Sequence, residues 1–314
     1  MDNILTFLGS NMDGDAWENL CNECYRIRFS SDHYTEIPAA SLGDAGIEGF
    51  TVSGIVTQCY CPERQYSDDE LYDHQRDKMT KDIGKLLKNR KRLEKLGVPV
   101  IHEWHFLTPE YRDKRIIEHA ESKRKEVMKA KLTNPSEYDY IADDFRILIK
   151  TAANYRVEIT RLIRGTLTDI KLNFSVLHKA DTKWNDCDSD KVANIERKVK
   201  AIIGNDSEDI NELVNMYIGC YMSGINILNA LHEDFPDVYE DIIQLEQSYK
   251  KEVQMKTLLN TKKEINSELF NQILDDFGNK LEKDFKYLNS ASIMELKLDI
   301  VSGWLADCSM KFRG

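Results

Sequence analysis

Residues 43–60, GDAGIEGFTVSGIVTQCY, constrain the fold of this 314-residue chain more than any other stretch. Glycine crowds its start and one glycine interrupts its middle. The strand-forming residues Phe50 and Val52 lie before that interruption, and Ile55 and Val56 after it. Such a stretch predicts a turn, a strand, a bend at Gly54 and a returning strand. Side chains alternate along a strand, so Val56, Gln58 and Tyr60 share one face, and Thr57, Cys59 and Cys61 the other. Asp44 and Glu48 sit in the turn that enters this hairpin. An acid at the entrance and an amide on the return are oxygen donors of the kind Mg²⁺ accepts. The predicted ligands are Glu48, Gln58 and a backbone carbonyl, that of Cys59, with Asp44 supporting the turn or adding a ligand.

The remaining order of elements predicts an α/β domain. A helix over 15–29 carries the apolar stripe Trp17, Leu20, Cys21, Cys24 and Ile27. Ser67 and Glu70 form a capping box that opens a helix predicted to run to about Leu96, where Gly97 and Pro99 follow. Strands are expected at 98–106 and 145–149, and helices at 109–131 and 153–163. His102 and His105 fall on opposite strand faces and make no pair. After a polar connector, everything from 190 to 307 reads as helices. The expected division is 1–165 for a mixed sheet flanked by helices and 166–314 for an all-α domain. The helical half, with its run 216–222 (MYIGCYM), suits docking to a partner protein or to a second copy.

The hairpin resembles the active-site hairpin of the PD-(D/E)XK nuclease superfamily, in its Mrr-like restriction endonuclease branch. Gly43 to Gly49 matches that group's GDxGxDG turn, with Glu48 at the acidic position. Gln58-Cys59-Tyr60 matches its Q/E-x-K strand, except that Tyr60 stands where the family has lysine. The variant Q-C-Y-x-P-E, residues 58–63, is similar to nuclease subunits of bacterial defence operons. The resemblance spans roughly residues 10–160. It implies a restriction-endonuclease-like fold and Mg²⁺-dependent cleavage of DNA, with Mn²⁺ as a substitute ion. It also implies a partner, an ATPase or sensor subunit, that restrains the nuclease. Glu18 matches a first-helix glutamate that leans toward the metal, although a solvated glutamate is the plain alternative. Lys78, in a K-x-x-x-D with Asp82, matches a relocated catalytic lysine, with Lys81 second. Either lysine also reads as a solvated or phosphate-binding side chain. Tyr60 would contact a phosphate or a metal-held water. Gln58 and Tyr60 also fit a second implication, an inactive nuclease fold kept for assembly.

Charge bears on both implications. The net charge of −11 disfavours polyanion binding overall. Its distribution is uneven. Residues 76–131 hold seventeen Lys and Arg against nine Asp and Glu, whereas residues 201–250 hold one against ten. Seven cysteines and an N-terminus without a basic start or a long apolar core suggest reduced thiols in the cytoplasm. Cys21, Cys24, Cys59 and Cys61 read as core packing rather than as a zinc site, which needs a knuckle turn. No P-loop, G-x-S-x-G elbow, H-E-x-x-H helix or dinucleotide fingerprint occurs, and no apolar run is long enough to span a membrane.

Overall fold

The computed structural model describes residues 7–8, 12–38, 45–168, 170–174, 188–205, 207–307 and 309–312. The chain divides into two compact units, one ending at Leu162 and the other starting at Ile163, with Phe7 and Leu8 belonging to the latter.

The first unit is built on a five-stranded mixed sheet in the order β1 (Thr35–Glu36), β2 (Gly49–Phe50), β3 (Ile55–Cys59), β4 (Ile101–Leu107) and β5 (Ile141–Lys150). β1, β2 and β3 pair antiparallel, and β4 and β5 continue parallel to β3. Parallel neighbours need crossover connections, and these are helical. α2 (Asp68–Lys88) and the short α3 (Arg90–Lys95) join β3 to β4, and α4 (Arg115–Thr133) joins β4 to β5. α1 (Gly14–Arg28) precedes the sheet, and α5 (Arg156–Arg164) follows it after a 3₁₀ turn at Ala152–Tyr155.

Alternation sorts the sheet's side chains onto two faces. Val56, Trp104 and Phe106 pack with Met79, Ile83 and Leu86 of α2 and with Ile116, Ala120 and Val127 of α4. On the opposite face, the Trp17 indole of α1 donates to the Leu107 carbonyl at 3.2 Å, and Tyr25 reaches His105 at 2.6 Å. Gly54 turns the β2–β3 hairpin at φ +87°, and a Cβ there would lie 2.1 Å from the Val100 carbonyl oxygen. Only glycine satisfies both conditions.

Several element boundaries depart from the sequence expectation. The helix after the capping box stops at Asn89 rather than running to Leu96, because Asn89 leaves helical geometry and turns both its backbone and side-chain N–H groups to the Lys85 carbonyl. The helix expected from residue 109 begins only at Arg115. Residues before it are held elsewhere: Thr108 N–H donates to Lys150, and the Gln75 amide to the Glu110 carbonyl at 2.7 Å. β5 starts four residues early, at Ile141, where it pairs with Ile101.

The second unit is helical: α6 (Ser189–Ile203), α7 (Ile210–Asp234), α8 (Pro236–Leu259), α9 (Asn266–Asp284) and α10 (Ser290–Ala306). α7 packs on α6, α8 and α10. Tyr249, Phe277 and Trp304 bring α8, α9 and α10 together, with ring centroids 4.8 to 5.9 Å apart. Lys198 of α6 is fully buried. Its ammonium donates to the carbonyls of Trp304 and Leu305 at 3.0 and 2.9 Å, and also to that of Asp307. A helix C-terminus leaves carbonyls without intrahelical partners and carries partial negative charge, so this lysine both caps and neutralises α10. Among the described residues no helix is long and apolar enough to cross a membrane.

Candidate active site

The turn that delivers Glu48 is wedged between α2 and the sheet. Ala45 and Gly46 both take left-handed backbone angles, φ 53° and 86°. A Cβ on Gly46 would lie 2.2 Å from the Asp82 carbonyl oxygen of α2, while the Gly46 carbonyl accepts the Trp104 indole N–H at 3.0 Å. Ile47 is fully buried beside them. The chain then enters the sheet, Glu48 N–H donating to Thr57 at 2.7 Å and the Glu48 carbonyl accepting from Ile37 at 2.8 Å.

Glu48 and Gln58 therefore meet. One carboxylate oxygen of Glu48 accepts the Cys59 backbone N–H at 2.7 Å, and the other accepts from the Gln58 side-chain amide. Gln58 is fully buried, and its Oε1 has no hydrogen-bond partner. A buried acceptor without a donor costs about 1–3 kcal/mol, so this atom needs an explanation.

Electrostatics single out the same carboxyl. Burial pushes Glu48 up to about 7, and the neighbouring charge of Glu18 adds to the rise. The Cys59 N–H and the Lys78 ammonium oppose it. Glu18 from α1, Cys59 and Tyr60 from the end of β3, Glu63 from the loop that follows and Lys78 from α2 line one cavity of about 310 Å³. Glu48 and Gln58 themselves lie outside that lining, next to Cys59. Glu18, Asp15 and Glu63 face a single lysine across this space, a charge balance that favours a cation.

Lys78 and Asp82 pair as their four-residue spacing predicts, at 2.7 Å. Asp82 is fully buried and also holds Lys85 at 2.8 Å. Lys78 is thus a fixed positive charge at the cavity wall. Lys81 is exposed and absent from that wall. Tyr60 stacks on Phe106, with ring centroids 6.1 Å apart, and burial keeps its hydroxyl protonated well above the usual range. Asp44 lies outside the described residues. Glu23 pairs with Arg26 on the helix surface.

No family model matches this chain, and no curated protein or solved structure does either.

Oxygen donors are present for a hard cation. Glu48, Glu18, the Gln58 amide oxygen and the Cys59 carbonyl are the groups that would hold Mg²⁺ or Mn²⁺. The orphaned Gln58 Oε1 supports the fit, since rotating the amide would exchange its donor end for that acceptor. Among the described residues no cluster of three or more His, Cys, Asp or Glu is arranged for a metal. The cysteines pack instead: Cys21 and Cys59 contact each other, and Cys24 is buried.

Sequence reasoning missed a buried polar network on the other sheet face. The Tyr25 hydroxyl contacts His105 Nδ1 at 2.6 Å and the Tyr155 hydroxyl at 2.5 Å, and His105 Nε2 meets Glu103 at 2.6 Å. Arg28 lies over the Tyr155 ring and grips Glu158 through two hydrogen bonds, at 2.9 and 2.7 Å. Burial holds the His105 pKa below its ordinary value. No local pattern signals these contacts, which join residues 80 and 130 positions apart.

Proposed function

We propose that this chain is a metal-dependent DNA endonuclease subunit of the restriction-endonuclease-like kind, active in bacterial antiviral defence under the control of a partner. The observation that supports it is the meeting of Glu48 and Gln58 beside a cavity lined by Glu18, Tyr60 and Lys78. A bound Mg²⁺ or Mn²⁺ would supply Lewis-acid polarisation of a phosphodiester. Glu48 and Glu18 supply the negative charge that holds such an ion. Lys78, fixed by Asp82, offsets charge building on the phosphate oxygens, and the protonated Tyr60 hydroxyl donates to the phosphate. The partner, an ATPase or sensor subunit, is expected on the helical unit.

The test is plasmid nicking by the full chain in Mg²⁺ or Mn²⁺, alone and with proteins co-expressed from its operon. Wild type should cut, and Glu48→Ala should lose at least a hundredfold in rate. Cutting that survives in Glu48→Ala would remove the proposal.

A second possibility is an inactive nuclease fold kept as an assembly subunit. One arrangement favours it: Lys78 is already neutralised by a buried aspartate, and no lysine follows Gln58 in the strand. Absence of Mn²⁺ binding by calorimetry in the wild-type chain would select it.

A further inference from the structure

α2 carries a second feature, of which the hydrolytic site uses only Lys78. His74, Lys78, Lys81, Lys85 and Lys88 recur at spacings of four, three, four and three. That rhythm keeps all five on one face of the helix. The opposite side is committed to the core through Met79, Ile83 and Leu86. From Lys78 to Lys88 the lysine face extends about 15 Å at 1.5 Å per residue. Lysines in the last turn alone would be explained by the helix dipole, but Lys78 and Lys81 lie before it.

The face is continuous with the cavity. His74 and Lys78 belong to its wall. Beyond them, Lys81 and Lys88 are exposed and form no ion pair among the described residues. By contrast, the arginines near the helix start are consumed locally: Arg76 by Asp73 and Asp77, Arg112 by Glu110 and Asp68, Arg115 by Asp113 and Asp69. Around the cavity's other wall Asp15, Glu18 and Glu63 repel phosphate. A polyanion reaching the cavity has one favourable way out, along α2 toward its C-terminal end.

We infer that this lysine face seats the phosphate backbone of a DNA duplex whose scissile phosphate enters the cavity beside Glu48, an assignment that rests on the hydrolytic proposal above. One strand of B-DNA places a phosphate about every 3.4 Å of axis, so about 15 Å accommodates roughly four. The uneven charge of the chain acquires a purpose here. A net acidic protein needs a concentrated cationic line to hold DNA.

The experiment is fluorescence anisotropy of a labelled 30-base-pair duplex with the full chain in EDTA, from 50 to 200 mM KCl. The variants are Lys81→Gln/Lys88→Gln and a charge-matched control on α4, Lys125→Gln/Lys129→Gln. Circular dichroism melts check that each folds. Removing two phosphate contacts should make the slope of log affinity against log salt shallower by about 1.8, at about 0.9 per contact, and lower affinity at 50 mM several-fold. The control should keep the wild-type slope. An unchanged slope in Lys81→Gln/Lys88→Gln, no binding by wild type at 50 mM, or binding only to an RNA duplex of the same sequence would overturn the inference. Its failure is separable from that of the hydrolytic proposal. Glu48-dependent nicking with an unchanged slope removes the track alone. A shifted slope without nicking removes the hydrolysis alone.

Discussion

At the scale of single residues, Glu48 carries the most testable physics. Its carboxyl titrates at about 7 in the fold against an ordinary 4.5. Between those values the folded chain retains a proton that the unfolded chain has lost. Stability from this group is therefore full below 4.5, falls as pH rises through 7, and is level above. The total is about 3 kcal/mol. In metal-free buffer the wild type should melt lower at pH 8 than at pH 5 by more than Glu48→Gln does, and Mn²⁺ at pH 8 should raise the melting temperature of the wild type only. Equal pH dependence in the two proteins would show that the Glu48 acid is not the strained group. The meeting of Glu48 with Gln58 was legible in the sequence, because strand alternation and a glycine-marked bend decide it locally. Asp82 was legible only as a partner for Lys78. Gly46 lies against its backbone, a contact between segments 36 residues apart that no spacing rule reaches.

Elements show the same contrast. The helices α6 to α10 and the capping box of α2 follow from periodicity and end signals, which are properties of neighbours in sequence. Helix ends were misplaced where a single side chain decides them, locally at Asn89, which caps the Lys85 carbonyl, and from a distance at the loop that Gln75 ties down before Arg115. The turn preceding β2 is the joint on which the site depends. Gly46→Ala would force a side chain to within 2.2 Å of the Asp82 carbonyl oxygen at a left-handed φ of 86°. The expected loss is about 1–3 kcal/mol in urea unfolding. A shift of α2 should follow, so Mn²⁺ affinity should drop along with stability. Gly97→Ala is the comparison, since Gly97 also has a positive φ but nothing within 4 Å of its Cβ position. If both variants lost Mn²⁺ affinity equally, the packing of the turn on α2 would not be what aligns the site.

Across the whole molecule, the basic stretch 76–131 and the acidic stretch 201–250 fall in separate units, and each unit closes its own core. Composition foretold the charge contrast, because counting needs no geometry. It did not foretell that a lysine would be the innermost cation of the acidic half. Lys198→Met keeps the volume but strands three carbonyls at the end of α10. The cost should be about 2–4 kcal/mol in thermal or urea unfolding, from lost charge-assisted bonds and unsatisfied acceptors. A neutral outcome would mean that water reaches those carbonyls. The same arrangement sets a timetable for the chain's manufacture. Lys198 leaves the ribosome 109 residues ahead of the last carbonyl it must grasp. At about 5–20 residues per second that interval lasts roughly 5–20 s, during which α6 holds an ammonium with nowhere to be buried. Until the far end of the second unit has emerged, its interior cannot seal, however early its first helices form.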